Sequence, residues 1–137
     1  MQVWGLLTTR GFNMETRRFE QLEGKTVTAV SGFEKGADRI SISFADGTEV
    51  TMDHTQDCCE RVEVEEVFGN PNDLVGRELL LAEEVSNAPA PYDRSEVGGE
   101  WTFYKFRSAW GTVTVRWLGE SDYYATNVNL RINGVVV

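Results

Sequence analysis

Histidine is nearly missing: the 137 residues contain one, His54. Cysteine occurs only twice, side by side at Cys58 and Cys59, and proline three times. One His and one adjacent Cys pair fall short of the two spaced ligand pairs that a structural zinc site uses. Two neighbouring cysteines cannot build a disulfide framework, so nothing here demands an oxidising compartment. Basic residues are the minority, 13 Lys and Arg against 22 Asp and Glu, for a formal charge of −9. That balance argues against a general nucleic-acid binder, which needs a basic face to displace counterions. Long apolar runs are absent too. No window approaches the roughly 18 apolar residues of a membrane-spanning helix. The opening Met1-Gln2-Val3-Trp4-Gly5-Leu6-Leu7 has neither the basic start nor the apolar length of a secretory signal. The expectation is a cytoplasmic protein with no membrane partner and no direct nucleic-acid partner.

What is present is period-two patterning. Residues 14–23 carry a short helix-like pattern (Glu15, Arg17, Arg18, Phe19, Leu22), and residues 1–13 read as an N-terminal arm outside it. From there alternation dominates, the mark of half-buried strands. Ile40, Ile42 and Phe44 share one face of 39–44; Asp46-Gly47 then separates this run from Val50 and Met52. Asp-Gly between two alternating runs predicts a hairpin whose turn residues both take positive φ. Val62, Val64 and Val67 predict another strand, and Glu78–Val85 a central or covered one, because Leu79-Leu80-Leu81 is apolar on both faces. Residues 86–99 hold two of the three prolines and read as a long loop. Trp101–Phe106 and Thr112–Leu118 predict a second hairpin, with Tyr123–Ile132 as the third strand of a meander. The fold class is mainly β (β-rich α+β). Residues 14–137 make a single domain of seven or eight antiparallel strands, closing as a small barrel or sandwich with one short N-terminal helix.

Three features carry candidate chemistry. Residues 46–73 hold nine acids and one base, while 101–137 hold four bases and two acids. An acidic strip of that kind either keeps a protein soluble or presents carboxylates to the Arg and Lys of a partner, as an acidic nucleic-acid-mimicking inhibitor would. Second, His54, Asp57, Cys58 and Glu60 sit within seven residues, with Cys59 between the last two. A thiol beside an imidazole can act as a nucleophile, and the same residues with a carboxylate can approach a metal site; a buried structural knot is the third possibility. No metal and no cofactor is expected. Third, eight aromatics fall within 101–124. Strand alternation cannot bury them all, so Trp101, Tyr104, Trp117, Tyr123 and Tyr124 with Arg116 are candidates for a ligand surface that offers stacking and cationic donors.

Several segments together carry a resemblance. Asp57-Cys58-Cys59-Glu60, preceded by His54, is followed by Asp73-Leu74-Val75-Gly76, Ala82-Glu83-Glu84, Trp101-Thr102-Phe103-Tyr104-Lys105, Gly111-Thr112-Val113-Thr114-Val115-Arg116-Trp117 and Tyr123-Tyr124. In this order they are similar to an uncharacterised family, a domain of unknown function, encoded by tailed bacteriophages. The likeness spans about residues 24–130 and leaves 1–13 outside. It implies a phage or prophage accessory gene and transfers no catalytic residue. The functional expectation is a non-enzymatic binding protein, a counter-defence inhibitor that sequesters a nucleotide-type signal or occludes a host protein. A second copy of the chain is the further expected partner. The alternatives are a small Cys/His or metal-dependent enzyme using His54 with Cys58 or Cys59, and a minor virion protein.

Overall fold

The structure is a computed structural model that describes residues 18–89, 98–121 and 124–137. The expected arm at 1–13, the start of the expected helix at 14–17 and Tyr123 lie outside the described residues. Among those described are nine strands: β1 (Val27–Ser31), β2 (Arg39–Phe44), β3 (Glu49–Asp53), β4 (Arg61–Phe68), β5 (Leu81–Pro89), β6 (Gly98–Ser108), β7 (Gly111–Ser121), β8 (Asn129–Ile132) and β9 (Val135–Val136). They form a five-stranded sheet, β1-β2-β3-β8-β9, and a four-stranded sheet, β4-β7-β6-β5, with every named pairing antiparallel. The two sheets pack as a sandwich, not a closed barrel. No helix among the described residues is long and apolar enough to cross a membrane.

Alternation builds the core. Ile40, Ile42, Val50, Met52 and Leu130 face inward from one sheet; Val62, Val64, Tyr104, Phe106, Val113, Val115 and Trp117 face inward from the other. Residues 18–20 are helical and run into turns at 21–24, a stub that places Phe19 and Leu22 in the same core. The Phe19 ring packs 5.0 Å from Tyr104 and 5.3 Å from Phe106, centroid to centroid. Truncating such a fully buried ring costs about 3–5 kcal/mol. Connecting segments stitch the sheet edges. Val27 N–H donates to the Arg77 carbonyl and Gly76 N–H to the Val27 carbonyl, while Val64 exchanges backbone bonds with Gly36 and Ala37. The outer-edge donors and acceptors of Val27 on β1 and Val64 on β4 are thereby satisfied within the chain.

Two turns and one crossover decide the topology. At the β2–β3 hairpin only Gly47 has positive φ (92°); Gly47 N–H donates to the Phe44 carbonyl, and Asp46 Oδ1 accepts from Thr48 N–H. Ala45 and Asp46 are therefore the turn's centre, and Gly47 supplies the left-handed residue that follows it. The turn with positive φ at both central residues is Asn133-Gly134 (52° and 84°), which joins β8 to β9. Beyond β7 the chain does not continue the meander. β8 crosses to the other sheet and pairs with β3, Val50 opposite Ile132 and Asp53 opposite Asn129. β5 is an edge strand rather than a central one: Leu79 is buried before it begins, Leu80 is exposed and Leu81 faces outward opposite Arg107. It extends to Pro89, and β6 begins at Gly98, so the long loop expected at 86–99 gives up residues to both strands.

Candidate functional site

The outward faces of the two sheets differ in chemistry. The five-stranded sheet turns Thr28, Ser41, Ser43, Glu49, Thr51 and Asp53 outward. The four-stranded sheet turns out Phe68, Val85, Trp101, Phe103, Lys105, Arg107 and Arg116. Phe68 is 46% exposed and Val85 55%, large apolar side chains on an open face. A bulge in β4 between Val64 and Glu66 sets this surface. Its extra residue brings both Glu65 and Glu66 alongside Arg116 and turns Phe68 outward opposite Thr114.

Arg116 is the centre of the face. Its guanidinium carbon lies 4.0 Å from the centroid of the Trp101 ring and 5.2 Å from that of Phe68. Nε donates to Glu65 Oε1 at 2.7 Å, and Nη2 lies 2.6 Å from the same oxygen. The carboxylate holds the planar cation in place between two rings, a cation–π arrangement worth about 0.5–2 kcal/mol. Trp101 meets Phe103 edge-on at 5.7 Å. Lys105 and Arg107 continue outward along β6 at two-residue intervals of roughly 7 Å. Lys105 pairs with Glu83 at 3.7 Å, and Arg107 is exposed with no side-chain partner among the described residues.

The 54–60 segment is a second, separate place. Leaving β3, His54 turns its ring inward: Nδ1 lies 2.6 Å from the Asn127 carbonyl oxygen and Nε2 2.6 Å from Glu60 Oε2. A carbonyl only accepts, so Nδ1 donates to it. Glu60 Oε2 also accepts from Asp57 N–H at 2.7 Å, and Oε1 from Cys58 N–H at 2.8 Å. The Gln56 amide donates to the carbonyls of Cys58 and Glu60. Burial of the Glu60 carboxylate works against its charge, but the His54 ring and the N–H groups of Cys58, Asp57 and Glu60 outweigh it. Together they pull its pKa from 4.5 down to about 2. A shallow concavity of about 250 Å³ lies beside this hub, lined by His54, Thr55, Gln56, Asp57, Ala125 and Asn127.

Alternation predicts one cysteine inside and one outside; instead both Cys58 and Cys59 are exposed, and their sulfurs are bonded to each other. The sulfurs are paired with each other, and the His54 nitrogens meet the Asn127 carbonyl and Glu60 rather than either sulfur. Among the described residues no group of three or more His, Cys, Asp or Glu side chains is arranged to hold a metal ion.

The other expected site residues divide. Trp101 and Arg116 come together across neighbouring strands. Tyr104 and Trp117 are sealed in the core and cannot meet an outside ligand; the Tyr104 hydroxyl donates to Glu84 Oε2 at 2.7 Å. Tyr124 sits in the exposed stretch after β7, its N–H donating to Ser121 Oγ. The acidic strip of 46–73 is likewise divided. Glu49 and Asp53 lie on one outer face and Glu63 and Glu65 on the opposite one, and most of these acids have partners. Asp53 meets Arg39 and Arg131, Glu63 meets Arg61, and Asp46 meets Lys25, whose hydrogen bond holds its carboxyl well below the usual range. Sequence reasoning missed Phe68, Val85 and the Trp110–Arg77 stack. Trp110, 67% exposed at the two-residue β6–β7 turn, lies over the Arg77 guanidinium at 3.7 Å. A Trp in a hairpin tip is a readable signal, since a two-residue turn has no inside.

Fold and surface define an antiparallel β-sandwich with one polar outer face and one aromatic, cation-bearing outer face. The chain belongs to the family described as Domain of unknown function (DUF7448), which matches residues 20–130. No curated protein and no solved structure matches it.

Proposed function

We propose that this chain is a non-enzymatic phage accessory protein that captures a nucleotide-type ligand on the outer face of its four-stranded sheet. The observation that carries the reading is Arg116, clamped by Glu65 and stacked between Trp101 and Phe68 on an open face. A base is taken up by stacking, which every purine and pyrimidine ring permits. The half-exposed Phe68 ring offers that platform, and Lys105 and Arg107 on the same face offer cations for phosphate. Sequestration of a nucleotide signal inside the host cell would make the protein a counter-defence inhibitor. Isothermal titration of purified protein with a panel of cyclic and ADP-ribose-type nucleotides tests the reading. Saturable heat from at least one supports it, and no heat from any of them overturns it.

A second reading, occlusion of a host protein, is favoured by one specific feature. Trp110 is exposed at the hairpin tip with the half-buried Arg77 guanidinium against its ring, and Trp and Arg are among the side chains most enriched at protein-interface hot spots. The acids of 46–73 are a weaker anchor for such a partner, because they divide between opposite faces and are largely paired within the chain.

A further inference from the structure

We propose that Cys58 and Cys59 form a reversible thiol–disulfide site whose co-reactant is an external dithiol. The two sulfurs are bonded across adjacent residues, and both cysteines are exposed. A disulfide that serves stability ties distant segments together, and its effect grows with the length of chain enclosed. A bond between neighbours encloses almost none, so holding the fold is not what it is suited to do. Exposure is what thiol–disulfide exchange requires, because an attacking thiolate must reach a sulfur.

The surrounding hydrogen bonds use backbone and neighbouring side-chain groups, and none of them uses a sulfur. Glu60 is held by His54 and by the N–H groups of Asp57 and Cys58, and Gln56 spans the carbonyls of Cys58 and Glu60. Opening the sulfur–sulfur bond leaves that frame standing, which lets the site cycle in the folded protein. In the first step a thiolate of the dithiol attacks one sulfur; the S–S bond breaks, and the other cysteine leaves as a thiolate that takes a proton from water. In the second step the remaining thiol of the dithiol, as thiolate, attacks its own sulfur in the mixed disulfide and releases the second cysteine, which is protonated in turn. Cys58 and Cys59 together gain two electrons and two protons, and the dithiol loses both as it closes to a cyclic disulfide. Gln56 and Asp57, which immediately precede the cysteines, line the neighbouring concavity.

Intact mass spectrometry with iodoacetamide tests the site. Protein purified without reductant and denatured takes no label, and takes two after dithiothreitol. Two labels without reductant, or a chain-to-chain disulfide on a non-reducing gel, overturns the proposal. Under native conditions dithiothreitol-treated protein keeps its far-UV circular dichroism while accepting both labels. Loss of the folded spectrum on reduction overturns the proposal, because the ring would then be holding the fold. The C58S variant, natively folded and without reductant, takes one label at Cys59; an unreactive Cys59 contradicts the exposure on which the site depends.

Discussion

Replacing Tyr104 by Phe removes one oxygen from the centre of the molecule. The ring stays, packed 5.0 Å from Phe19 and fully buried, so no cavity larger than a hydroxyl forms. What is lost is the 2.7 Å hydrogen bond to Glu84 Oε2. Glu84 is 3% exposed, so water cannot take the vacated place. Arg18 remains, with Nη2 at 2.8 Å and Nε at 3.2 Å from the two carboxylate oxygens. A hydrogen bond to a charged group contributes about 1.5–3 kcal/mol. For a chain of this size each kcal/mol shifts the melting temperature by roughly 3–5 °C, so Y104F should melt about 5–15 °C lower. Urea unfolding followed by tryptophan fluorescence should show the same loss, a midpoint lower by about 1–2 M with unchanged slope. Because Arg18 also donates to the carbonyls of Val137 and Val128, the network ties the helical stub to β5, β6 and the end of the chain. A melting shift below about 1 °C would refute the reasoning, since Glu84 would then be satisfied without Tyr104.

Three further outcomes are expected. Glu60 has a folded pKa of about 2 against an ordinary 4.5, so its contribution is complete above pH 4.5 and disappears as pH falls towards 2. E60Q should flatten the acid limb of stability in that window, and circular dichroism melts from pH 2 to 7 check it. Gly69→Ala should destabilise by more than about 1–2 kcal/mol, because φ is +98° and the new methyl would collide with the Thr112 carbonyl; urea titration reads the cost. Trp110→Ala should leave the melting temperature within about 2 °C, since the ring is 67% exposed, while abolishing any protein-partner binding that the hairpin tip supports.

The strands were legible where alternation was clean. In 39–52 and 112–117 the apolar positions recur every second residue, and the structure buries that set and turns the other outward; in 101–106 aromatics occupy both sets, and the structure buries Tyr104 and Phe106 and turns Trp101 and Phe103 outward. What escaped were features set by pairing rather than pattern. Nothing within Asn129–Ile132 says that it will join β3 instead of β7; Gly119 and Thr126 help to explain the departure. A Cβ at Gly119 would meet the Thr126 side chain, so the chain folds back over β7 there before crossing. Asn133-Gly134, a stronger two-residue turn signal than Asp46-Gly47, was in plain view at the point where β8 reverses. At the candidate site, grouping Arg116 with its sequence neighbour Trp117 as well as with Trp101 joined residues that alternation sends to opposite faces. Its real partner, Trp101, lies on the adjacent strand and is set by register. Phe68 needed the β4 bulge as well, which no local pattern announces.

The central claim is that the aromatic, cation-bearing face binds a nucleotide-type ligand by stacking, and one paired titration tests it. Wild-type protein and F68A, matched in circular dichroism and melting temperature, are titrated side by side in the calorimeter with whichever nucleotide of the cyclic and ADP-ribose-type panel gives heat. Base stacking is worth about 1–3 kcal/mol, so F68A should bind roughly 5–150-fold more weakly. Equal affinity in the two proteins, or no heat with the wild type, would contradict the claim.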